Sequence, residues 1–115
     1  MNSIFIKCAG FVFKIFYRND ALKHRFLKYA VLEKKADIVV VPSEYHFKIA
    51  KSYMPHDSES DVEFAAIFCA LHDSVLRKGA TTIHASVVAV DGNAYAFSGV
   101  SGIGKSTQAA LWKKV

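Results

Sequence analysis

One run of eight residues restricts the fold of this chain more than any other: Gly99-Val100-Ser101-Gly102-Ile103-Gly104-Lys105-Ser106. It fills every fixed position of the pattern G-x-x-x-x-G-K-[ST]. A strand-like run, Ala94–Ser98, leads in and a helix-like run, Gln108–Trp112, leads out. That is the strand–loop–helix setting a phosphate-binding loop requires. A polyphosphate must exchange its hydration for other donors. Backbone N–H groups curled into a nest supply them, and glycines keep side chains out of the way. The first turn of the following helix adds unpaired N–H groups and the positive end of its dipole. Lys105 has the charge and reach for the β- and γ-phosphates, and the Ser106 hydroxyl is a hard oxygen ligand suited to Mg²⁺.

The rest of the composition sets the frame for that loop. The 115 residues are 52% hydrophobic and 22% charged, which suits a packed core and excludes a disordered tail. The net charge of +5 is uneven: residues 1–35 hold eight Lys/Arg against two acids, and residues 36–80 hold four against seven. The basic third reads as a solvated face in preference to a nucleic-acid or membrane surface, because its lysines form no recognised motif. Cys8 and Cys69 each lie in an apolar run outside any C-x-x-C pair, and read as buried thiols of a reducing compartment. No apolar run reaches the length of a membrane span and the N-terminus lacks the layout of a signal peptide, so the expected location is the cytoplasm.

Along the chain, residues 4–8 and 11–17 read as two strands meeting near Gly10, with Phe11, Phe13, Ile15 and Tyr17 on one face. Asn19 or Asp20 caps a helix expected over about 21–33, with Leu22, Phe26, Ala30 and, at the edge of the face, Leu27 turned inward. Ala36–Val41 reads as a buried strand. Ser43 heads a helix to about Met54, with alternating Tyr45, Phe47 and Ile49 keeping a strand open there; His46 reads as exposed. Ser60-Asp61-Val62-Glu63 fits a capping box opening a helix to about Lys78, ended by Gly79, with His72 and Asp73 on its surface. Thr81–Val90 and Asn93–Ser98 then form a hairpin through Asp91-Gly92, and apolar residues on both faces predict two central strands. The domain division expected is an α+β portion over 1–80 and the start of a nucleotide-binding domain over 81–115.

The order from Ile83 to Trp112 resembles the loop region of the HPr kinase/phosphorylase and phosphoenolpyruvate carboxykinase superfamily: His84 on a strand, a hairpin, then Phe97-Ser98-Gly99 and Ser101-Gly102-Ile103-Gly104-Lys105-Ser106. Lys105-Ser106-Thr107 and Leu111-Trp112 look most like HPr-kinase-related proteins of bacterial peptide modification. The resemblance covers about 30 residues and implies an α/β fold, a mixed sheet with helices of the carboxykinase-like P-loop type. It implies ATP with Mg²⁺ or Mn²⁺ as cofactors, and phosphoryl transfer to a Ser hydroxyl of a protein or peptide. Phosphate-binding roles carry over onto Gly99, Val100, Ser101, Gly102, Ile103, Gly104, Lys105, Ser106 and Thr107, with Lys105 catalytic. His84 matches a carboxykinase metal ligand, against the alternative of a buried His bonded to backbone. Thr107 stands where HPr kinases proper often carry Glu, which separates this chain from HPr as substrate.

The family's catalytic acidic residues lie beyond the loop, and none is placed for that role in residues 1–115. The chain therefore reads as a Walker A fragment, truncated after the first P-loop helix and inactive alone. The alternatives are a carboxykinase-like or generic P-loop ATPase and a non-catalytic nucleotide-binding fragment; an oligomer is compatible with each.

Overall fold

The computed structural model describes residues 1–100 and 102–113. The protein is a mixed α/β chain that separates into two compact units, Met1–Thr81 and Thr82–Val115. The first holds strands β1 (Asn2–Cys8), β2 (Phe11–Tyr17) and β3 (Ile38–Val40) and helices α1 (Lys23–Leu27), α2 (Glu44–Tyr53) and α3 (Glu59–Leu76). The second holds β4 (Ser86–Val90), β5 (Asn93–Phe97) and α4 (Lys105–Trp112).

In the first unit, β1 and β2 form an antiparallel hairpin in which Ile4 faces Ile15 and Ile6 faces Phe13. β3 joins the other side of β2 in parallel. Alternation turns Phe13, Ile15 and Tyr17 to one face, where Ile6, Ile38 and Val40 join them. The apolar side of α3 (Ile67, Ala70 and Val75) covers that face together with Leu22 and Phe26. α2 packs on α3 through Ala50, Val62 and Ala66. The strand alternative for residues 43–54 therefore gives way to a helix, capped by Ser43 as expected.

Several expectations change for identifiable reasons. The helix over 21–33 shrinks to a 3₁₀ turn, Asp20–Leu22, and α1, because the chain beyond Leu27 runs beside β1. There the Lys7 N–H donates to the Tyr29 carbonyl at 3.1 Å and the Val31 N–H to the Phe5 carbonyl at 3.0 Å. The open edge of β1 needs partners, and that demand outweighs helix propensity. Leu22 and Phe26 are buried as expected, whereas Leu27 and Ala30 are exposed. The strand expected over Ala36–Val41 keeps only three residues, with Val39 exposed. At its head the Asp37 carboxylate accepts from the Val12 N–H at 2.8 Å, while the Asp37 N–H donates to the Val12 carbonyl at the same distance.

The cap of α3 is Ser58, two residues before the expected Ser60. Its hydroxyl accepts from the Asp61 N–H at 3.2 Å and donates to the Asp61 carboxylate at 2.7 Å. Glu63 is thereby released from capping and enters the interior (4% exposed), where its two oxygens accept the N–H groups of Arg18 and Asn19. His46 is half-buried instead of exposed. Its Nδ1 accepts from the Ser43 N–H at 2.9 Å, which leaves the proton on Nε2, 3.1 Å from the Asp73 carboxylate of α3. Cys8 is exposed and Cys69 half-buried, both as free thiols, so the expectation of two buried thiols fails at Cys8 and is met only in part at Cys69. Among the described residues, no helix is long and apolar enough to cross a membrane.

Candidate functional site: the glycine-rich loop of the second unit

Asp91 and Gly92 turn the hairpin with φ of 49° and 77°, the pair of positive angles that a tight two-residue turn requires. The turn sets the register Val88 opposite Tyr95 and Ser86 opposite Phe97. β4 begins at Ser86, five residues later than the β-rich run at Thr81. The two strands pair only with each other among the described residues, and most of their side chains are exposed. The expectation of two central strands is therefore corrected: apolar residues on both faces specify burial only where a second layer exists on each face.

Beyond the last ladder pair, the Ser98 hydroxyl donates to the His84 carbonyl at 3.2 Å, holding the entering and leaving chains together. The loop starts here. A Cβ added at Gly99 would lie 3.0 Å from Cγ2 of Ile103, a tight contact that a larger residue at 99 could keep only if the exposed Ile103 side chain moved aside. Gly104 has φ of 102° and is the residue from which α4 starts. The first helical bond runs from the Gln108 N–H to the Gly104 carbonyl at 2.9 Å. The N–H groups of Lys105, Ser106 and Thr107 precede that ladder and have no partner within the helix.

Lys105 folds back over the loop, its ammonium donating to the carbonyls of Gly99 and Val100 at 3.0 Å each. Among the described residues, two of its three N–H donors are used in this way. The Ser106 hydroxyl lies 3.3 Å from that of Ser86. The helix is held to the hairpin by Trp112, whose ring centroid is 4.9 Å from that of Tyr95 and 5.4 Å from that of Phe97. Val88 and Ala109 are buried. N–H groups without a partner in the helix, next to an ammonium, are groups whose chemistry suits an anion.

Of the residues expected to act, Gly99, Val100, Gly102, Ile103, Gly104, Lys105, Ser106 and Thr107 lie in this loop and the first turn of α4. Val100 and Ile103 expose their side chains, so only their backbone serves the loop. Ser101 lies outside the described residues. His84 precedes β4 by two residues and is exposed, which removes the alternative of a buried structural histidine. Among the described residues, no group of three His, Cys, Asp or Glu side chains gathers to hold a metal. The hydroxyl of Ser106 nevertheless suits Mg²⁺, which usually takes one or two protein ligands and fills the remainder with water and phosphate oxygens. Ser86 and Ser98 were not foreseen as parts of the site. Ser86 was legible in principle, since the Asp91-Gly92 turn dictates a register that brings it to the loop end of the hairpin.

No protein-family model, curated protein or solved structure matches the chain.

Proposed function

We propose that residues 99–107 bind the phosphates of ATP with Mg²⁺ or Mn²⁺, and that the chain is the ATP-binding portion of an HPr-kinase-like phosphotransferase acting on a Ser hydroxyl of a protein or peptide. The observation that carries this reading is the coincidence of the complete G-x-x-x-x-G-K-S pattern with a loop whose lysine is folded onto its own carbonyls. In this reading the N–H groups from Lys105 to Thr107 bind phosphate oxygens, and Lys105 turns its ammonium to the β- and γ-phosphates. Ser106 and the exposed His84 are the residues to hold the metal. When bound, the metal neutralises charge developing on the phosphates. The fold of the complete site is then of the carboxykinase-like P-loop type.

A second reading is nucleotide binding in which residues 82–115 supply no catalytic acid of their own. The only acid within residues 82–115 is Asp91. It sits at the hairpin tip, with the five residues of β5 between it and the loop. At roughly 3.3 Å per residue that is on the order of 16 Å, too far to hold a metal at Ser106 or to activate a hydroxyl beside the γ-phosphate. A carboxykinase-like or generic ATPase would need an acid at the loop for the same reason.

Calorimetric titration with ATP, with and without Mg²⁺, tests the binding step. Saturable Mg²⁺-dependent binding is expected, weakened roughly 10- to 100-fold in Lys105→Ala, as fits the loss of a charged hydrogen bond. Binding that Lys105→Ala leaves unchanged would remove the loop from the reading. Phosphotransfer to a Ser-containing peptide, measured alongside, separates the two readings.

A further inference from the structure

The first unit carries a concave site of its own. A cleft of about 530 Å³ opens where the end of β2 meets α2 and the first turns of α3. That volume falls in the range of small-molecule sites, about 300–1,000 Å³. Helical spacing brings its walls together. Phe47 and Lys51 are one turn apart on α2, and Glu59, Val62 and Glu63 share one side of α3. Glu63 lies at the buried end, and by accepting the Arg18 and Asn19 N–H groups it anchors the backbone from which the Arg18 side chain departs. The Arg18 guanidinium lies over the Phe47 ring, 5.2 Å from its centroid. Among the described residues, neither Arg18 nor Lys51 forms an ion pair.

Two unpaired cations and an apolar wall of Phe47 and Val62 thus line one hollow. The charge balance narrows what fits. Glu59 and Glu63 offset both cations, so a multiply charged phosphate meets two carboxylates and gains little. A single carboxylate can take the planar fork of Arg18 and lay an apolar body along Phe47 and Val62. We infer that this cleft binds a monoanionic organic carboxylate with an apolar body. The carboxylate is either the C-terminus of a peptide or that of a free small molecule.

Titration of the full chain, followed by NMR shifts of Phe47 and Val62, tests the inference. The probes are N-acetyl-Leu-Phe with a free carboxylate, the same peptide as its C-terminal amide, 3-phenylpropionate and inorganic phosphate. Saturable binding of at least one free carboxylate is expected, weakened about tenfold or more in the amide and in Arg18→Gln or Lys51→Gln, as fits loss of a charged hydrogen bond. Both substitutions lie at exposed side chains, and unchanged circular dichroism confirms folding. Tighter binding of the peptide acid than of phenylpropionate assigns the ligand to a peptide end; equal or weaker binding assigns it to a free carboxylate. The inference is overturned by equal binding of acid and amide, by competition from phosphate at the same concentration, by unchanged binding in both variants, or by no saturable binding.

Discussion

Glu63 shows how far a residue's role departs from its type. A glutamate in the first turns of a helix ordinarily faces water, yet this one is buried and replaces two backbone partners that β2 lacks after Tyr17. Glu63→Gln keeps one acceptor and loses the charge, so we expect a stability loss of about 2–3 kcal/mol in urea unfolding; a loss below about 0.5 kcal/mol would contradict this role. Asp61, in the first turn of α3, titrates in a defined direction. The Ser58 hydroxyl, followed by Arg25, holds its carboxyl below the ordinary range. The unfolded chain then binds this proton more tightly than the native one. The contribution is complete above the ordinary carboxylate pKa and is lost as pH falls through the lower native value. Urea midpoints measured from about pH 6 to about pH 2 are expected to fall less steeply at the acid end in Asp61→Asn than in the parent. Gly104→Ala places a Cβ at φ of 102° and is expected to cost about 1–3 kcal/mol of local stability, visible as faster amide exchange in α4.

Element by element, what was legible depended on whether local chemistry or a distant partner decides the structure. The β1–β2 hairpin, the body of α3 and the Asp91-Gly92 turn follow from alternation, caps and turn residues within the segment itself, whereas α2 was separated from a strand only by its packing on α3. The 28–33 stretch does not, because its conformation is set by the free edge of β1, more than twenty positions away. The loop was legible as a pattern, but Ser86 beside Ser106 and the fold-back of Lys105 needed the register of a hairpin and the placing of α4. That placing rests on Trp112. Removing its ring in Trp112→Ala forfeits two aromatic pairs, about 1–3 kcal/mol. The expected readout is loss of exchange protection across Lys105–Trp112 and weaker ATP binding, with unchanged protection in β2.

At the scale of the whole molecule, the described core is concentrated in the first unit; of the buried apolar residues only Val88 and Ala109 belong to the second. A two-stranded hairpin with one short helix buries little surface for the backbone it orders. Amides of β4, β5 and α4 are therefore expected to exchange faster than those of β2 and α3. If the loop binds nucleotide, Mg²⁺-ATP at about 100 times its Kd adds up to about 2.7 kcal/mol of protection to the second unit, and unchanged exchange there would count against the proposed function. The sequence by itself determined most of the local elements and the residue pattern of the loop, because periodicity, turn residues and the run from Gly99 to Ser106 act over a few positions. Only the tertiary structure decided that β4 and β5 have no neighbouring strands among the described residues, that Ser58 and not Ser60 starts α3, and that Glu63, Arg18 and Lys51 meet at one cleft. Those outcomes depend on which distant backbone groups and apolar faces lack partners, and a linear pattern does not record that.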